Sequence, residues 1–241
     1  MKTTDYIADK IRRMPRGYVF TYSDFNTDGK NKEAIIKALN RMVASGKLAK
    51  LSKGKYYKPQ NSVFGILAPD QYQVVKDLLE SNGKITGYLT GYSIFNRLGL
   101  TTQVASVIQI GKNEIRPDFK RDFYRITFVR QKNIITKNNI FLLQVLDSMK
   151  FIKRIPDTNP NDSCKVFLSI VSKLSLKEKK DMVRLALKYQ PLVRALLGAL
   201  LEQNREKDLT TSLIKSLNPI SKYKIGVNTK VLSTAIKWNI E

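Results

Sequence analysis

The chain has 241 residues, 42% apolar and 26% charged, which are the proportions of an ordinary folded protein and exclude disordered, collagen-like and disulfide-built classes. Its 43 Lys and Arg against 20 Asp and Glu leave a net charge of +23, which favours a polyanionic partner, nucleic acid first. With no histidine and a single Cys164, a Ser–His–Asp triad, a Cys–His dyad, a His-bearing zinc site and an internal disulfide are all impossible within the chain.

In chain order, Ile7, Ile11 and Met14 recur at spacings of four and three and predict a helix over 4–14, which Pro15-Arg16-Gly17 stops. Tyr18-Val19-Phe20 suits a short strand, Thr21 or Ser23 can cap a short helix holding Asp24 and Phe25, and Asn26-Thr27-Asp28-Gly29 reads as a turn. A second helix is expected over 31–45, its apolar face made by Ile35, Leu39 and Met42 and its end set by Gly46. Its opposite face carries Lys30, Lys32, Lys37, Asn40 and Arg41. A hairpin over 47–57 then turns at Ser52-Lys53-Gly54.

Helix, short strand, helix, turn, helix, hairpin is the order of a winged helix-turn-helix, whose third helix enters the DNA major groove beside the hairpin. Asn and Arg can contact base edges in pairs of hydrogen bonds, so Lys30, Asn31, Lys32, Lys37, Asn40 and Arg41 are the groove candidates. Lys50, Lys53 and Lys55 on the hairpin would neutralise phosphates and set orientation. Two blander readings stand beside this one: a solvated helix face, and a winged helix used for protein interaction.

Further along, a helix is expected over 72–79, with Val75, Leu78 and Leu79 inward and Asn82-Gly83 closing it. Glycines at 83, 87, 91 and 99 form neither GxxxxGK[ST] nor GxGxxG, so they read as helix boundaries and no cofactor is implied. Strands are expected over 104–110 and 123–129. Glu114, Asp118 and Asp122 surround Pro117, but no (D/E)xK follows in the next strand. Solvated loop acids are therefore preferred to a metal-dependent nucleic-acid-processing enzyme, which remains the alternative of another class.

Three segments resemble the AbiEi-like family of bacterial type IV antitoxins, in its Bacteroidetes branch. They are Ile11-Arg12-Arg13-Met14-Pro15-Arg16-Gly17-Tyr18-Val19-Phe20, the hairpin from Leu48 with Gly54-Lys55-Tyr56-Tyr57, and Gly91-Tyr92-Ser93 through Gly99-Leu100-Thr101-Thr102. The resemblance spans roughly residues 5 to 130, and Ile94 departs from it by standing where Ala is common. It implies a winged helix that binds double-stranded operator DNA and represses its own operon, joined to a domain needed to neutralise toxicity. It also implies a co-encoded nucleotidyltransferase-like toxin that the antitoxin need not bind directly.

The last third is helical in pattern. Ser175-Leu176-Lys177-Glu178 is a capping box, Pro191 suits a first turn, and Leu192, Leu196, Leu197, Leu200 and Leu201 form an apolar stripe. A final helix is expected over 207–217, Lys177, Lys179 and Lys180 read as a wet helix face, and Trp238 reads as a packing anchor. Linkers are sought at Lys58–Ser62 and at Ile155–Ser163, giving an α+β chain of three parts: a winged helix over 1–59, a mixed α/β domain over 60–155 and a helical region over 156–241. Lys2 to Lys10 contains no apolar leader and no long apolar run follows, so a cytoplasmic protein with no membrane partner is expected.

Overall fold

Ile7 and Ile11 lie one helical turn apart, and in the computed structural model, which describes residues 3–25, 32–63, 65–81 and 83–241, they form the buried side of α1 (Thr3–Arg13). β1 (Val19–Thr21) follows, and Thr21 caps the 3-10 turn Tyr22–Asp24 in a reciprocal capping box with Asp24. α2 (Lys32–Ala44) buries Ile35, Ala38 and Leu39. β2 (Ala49–Ser52) and β3 (Lys55–Tyr57) make the expected hairpin, in which Gly54 supplies the positive φ of 75° that its turn requires. β3 pairs with both neighbours, so the sheet order is β1-β3-β2, all antiparallel.

Phe20 meets Phe25 edge-on at 5.4 Å between ring centroids and stacks on Tyr56 at 6.3 Å. Together with the buried residues of α1 and α2 these rings form one apolar core. Tyr18, Phe20 and Phe25 thus belong to packing; Tyr18 is half-buried, with the Lys76 ammonium over its ring.

β4 (Gln60–Ser62) pairs with β5 (Gly65–Leu67), so the polar stretch at 58–62, expected as a linker, instead starts a hairpin: its backbone groups find ladder partners. α3 (Gln71–Leu79) begins after Asp70, whose carboxylate accepts from the Gln73 N–H at 3.1 Å. β6 (Glu80–Ser81), β7 (Lys84–Ile85), β8 (Gly87–Thr90), the one-turn α4 (Tyr92–Phe95), β9 (Val107–Lys112), β10 (Phe119–Arg121) and β11 (Tyr124–Arg130) complete the middle of the chain. Gly91 stands at the start of α4 and Gly99 beyond its end, as boundary glycines should. β9 runs antiparallel to β8 and parallel to β11, burying Ile108, Ile110 and Ile126.

The remainder is α5 (Ile140–Lys150), α6 (Pro160–Lys173), α7 (Leu176–Ala186), α8 (Pro191–Gln203) and α9 (Thr211–Lys215), followed by a segment without regular helices that is tied back by a Tyr223–Ile240 bridge. The second expected linker is also structured. Asn159 caps α6 by accepting from the Asp162 N–H at 3.0 Å, with Pro160 in the first turn. Ser175 and Glu178 form the expected capping box on α7. The helix expected over 207–217 is broken into a 3-10 turn, Lys207–Thr210, and α9.

The chain is thus mixed α and β, and its contacts divide it into two compact units: residues 1–77 with 120–124, and 78–119 with 125–241. The sequence divisions at 59/60 and 155/156 fall inside these units. Among the described residues no helix is long and apolar enough to cross a membrane.

Candidate functional site

In the first unit, an amphipathic α2 buries one side and leaves Lys32, Lys37, Asn40 and Arg41 exposed on the other. Lys30 and Asn31 lie outside the described residues. Lys37 and Arg41 are one turn apart and so share a face; neither has an ion-pair partner among the described residues. The Lys32 ammonium sits 5.0 Å from the centre of the Tyr22 ring.

Asn40 is less free than its position suggests. Its Oδ1 accepts from the Tyr56 hydroxyl at 3.1 Å, which pins α2 to β3. One lone pair of the oxygen that an adenine contact would use is therefore already occupied.

On the hairpin, Lys50 and Lys53 are exposed and carry no ion pair among the described residues, as does Lys47, which precedes β2. Lys47 opens the hairpin expected over 47–57 but was not among its expected phosphate contacts. Lys55 differs: its side chain is only 17% exposed and its ammonium pairs with Asp77 at 2.5 Å. Arg121 grips the same carboxylate from 2.7 and 3.1 Å and also donates to the Val74 carbonyl at 2.7 Å. Lys55 is thus a structural cation here and a poor partner for phosphate, because leaving Asp77 would forfeit an existing charge-assisted bond.

Burial by itself would raise the Asp77 carboxyl, but hydrogen bonds and charge from Arg121 and Lys55 outweigh it and hold the group below its ordinary value. A depressed carboxylate stabilises the fold above its unfolded pKa, and that contribution is lost as pH falls through the folded value. Asp77→Asn is expected to cost about 1 kcal/mol at neutral pH, a figure kept small by the exposure of Asp77. The difference from the parent should shrink in acid, as pH falls through the depressed folded value and the carboxyl is protonated. Urea denaturation at neutral and acid pH checks this; an equal difference at both would place the stabilisation elsewhere.

The second unit holds a polar arrangement that sequence reading missed. Asp147 on α5 is 2% exposed and accepts from the hydroxyls of Tyr88 and Thr90, both at 2.7 Å, and of Tyr189 at 2.9 Å. The Gln131 amide forks its two N–H groups to the same tyrosine oxygens at 2.7 and 2.8 Å, while its carbonyl accepts twice from Asn133. Burial pushes the Asp147 carboxyl above its ordinary value, against the hydroxyls of Thr90, Tyr88 and Tyr189 and the charge of Lys150. Lys179, expected on a wet face, is 8% exposed and pairs with Glu206 at 2.6 Å, whereas its neighbours Lys177 and Lys180 are exposed. Asp118 pairs with Arg125 at 3.2 Å, and no group of three or more acidic or cysteine side chains is placed to hold a metal among the described residues.

A family model described as a family of unknown function, DUF6088, matches residues 6–159, more than half of the chain. The chain belongs to DUF6088. That match takes in α1 through the 3-10 turn Ile152–Arg154, hence the basic face of α2, the hairpin and most of the Asp147 network, while Tyr189 lies beyond the DUF6088 segment. A crystal structure of the RV2827C protein from Mycobacterium tuberculosis is similar at TM-score 0.57 and 13% identity, covering 93% of this DUF6088 chain and 85% of its own. At that identity the likeness concerns the fold. No curated protein matches.

Proposed function

We propose that the chain is a DNA-binding protein whose first unit is a winged helix-turn-helix, acting as the antitoxin and autorepressor of an AbiE-like type IV operon. The observation that carries the DNA reading is the set of exposed cations without carboxylate partners among the described residues, Lys37 and Arg41 on α2 with Lys50 and Lys53 on the hairpin. The element order α1, β1, 3-10 turn, α2, hairpin, with strand order β1-β3-β2, suits that use. The antitoxin role rests on the sequence resemblance. In that role the partner is double-stranded operator DNA, the co-encoded nucleotidyltransferase-like toxin is opposed without obligatory contact, and the chain performs no catalysis.

The test is binding to the duplex upstream of its own gene across a salt series. The logarithm of affinity should fall linearly with that of salt, at a slope of about 0.9 for each phosphate neutralised. Lys53→Ala should weaken all sequences alike and reduce the slope by about one such unit, whereas Arg41→Ala should cost about 1–3 kcal/mol and relax preference among sequences. Equal affinity for scrambled duplex at moderate salt, or identical behaviour of the two variants, would overturn the proposal.

A further inference from the structure

The second unit contains a cleft of about 390 Å³ whose walls carry Arg130, Lys132, Lys150, Lys188 and Arg194. Among the described residues no carboxylate lines it. Five like charges around one small volume repel one another, and an arrangement of this kind is relieved by a dense anion. Its base is rigid. Gln131 and Tyr189 line the cleft and are both members of the Asp147 network, so their polar groups are held by buried partners.

Two independent details point the same way. α8 begins at the cleft with Pro191, and its cap residue Gln190 makes no side-chain capping bond, so the positive end of that helix dipole carries no acidic cap. Arg194, one turn into α8, donates through Nη1 to the Ser216 carbonyl at 2.8 Å, which fixes the guanidinium. Its Nε is buried and makes no hydrogen bond among the described residues.

We propose that this cleft binds the polyphosphate chain of a nucleotide. A compact polyphosphate fits better than a nucleic-acid backbone because the cations surround one small open cleft, whereas duplex phosphates follow a line along the helix. The proposal is independent of DNA binding by the first unit.

The experiment is calorimetric titration of the full chain, at low salt, with ATP and with inorganic tripolyphosphate. Saturable binding of both is expected, and the Lys132→Glu, Lys188→Glu double variant should lose about tenfold or more in affinity for each. Both positions are exposed, so the fold should survive; if that variant fails to fold, Lys188→Gln alone should still weaken binding measurably. A Lys37→Glu, Arg41→Glu variant of the first unit should bind both probes as the parent does. Absence of saturable binding, or equal losses in the two double variants, overturns the proposal. So does displacement of ATP by a short DNA duplex from the Lys37→Glu, Arg41→Glu variant, which would make the cleft part of a nucleic-acid track.

Discussion

Trp238→Ala is expected to lower the stability of the second unit by about 3–5 kcal/mol, the range for deleting a large buried aromatic side chain. Trp238 is 2% exposed, and its indole N–H donates to Glu202 at 2.9 Å on α8, where Lys237 also pairs. The ring lies so close to the α8 backbone that a Cβ at Gly198 would stand 2.2 Å from its carbons; only glycine permits that approach. Gly198→Ala should therefore destabilise the parent through overpacking, by about 1–3 kcal/mol, despite the better helix propensity of alanine. In the Trp238→Ala background the same methyl would enter vacated space, so the two changes should be strongly non-additive. Cys164 supplies the readout: it is fully buried on α6, its thiol is pushed up to about 12 by burial, and it should react with an alkylating reagent only when this unit opens. Labelling rates that leave the variant within about 1 kcal/mol of the parent would show that the ring contributes little.

Tyr88→Phe should cost about 3 kcal/mol at neutral pH, because one hydroxyl serves two buried partners: it donates to Asp147 and accepts from Gln131. The loss leaves a carboxylate with one donor fewer and an amide N–H without an acceptor. The sign with pH follows from Asp147. Its folded pKa is raised, so the stability linked to it is complete below the unfolded pKa and declines as pH rises through the folded value. Losing a donor raises that folded value further, so the cost of Tyr88→Phe should grow as pH rises through the parent's folded value and be smaller below it. Denaturation of both proteins at acid and neutral pH measures it; a cost independent of pH would mean that Asp147 does not sense the hydroxyl.

The first unit was readable from the sequence because its signals are local. Ile7 with Ile11, Ile35 with Leu39 and the Gly54 turn each depend on residues a few positions apart, and each is found where expected, as is the equally local Ser175 capping box in the second unit. What was missed depends on distant partners. Nothing beside Lys55 in the chain announces Asp77, and nothing beside Lys179 announces Glu206, so the first read as a phosphate contact and the second as a solvated face until the fold joined them to carboxylates. The Asp147 network gathers residues from 88 to 189 and has no periodic trace. The parallel pairing of β9 with β11 was equally invisible, since a strand pattern carries no direction. Pro and Asn clusters at 58–62 and 155–163 misled because the residues that favour linkers also favour hairpin starts and helix caps. On α2, exposure followed from amphipathicity, but the hydroxyl engaging Asn40 came from another element.

The return of residues 120–124 to the first unit has a consequence for biosynthesis. Arg121 closes on Asp77 from a point 44 positions downstream. On the ribosome, where about 5–20 residues are added each second, α1, α2 and the hairpin emerge some seconds before their last clamp exists. During that interval Lys55 alone faces Asp77, and the nascent fragment must wait, partly secured, for the chain to come back and lock it.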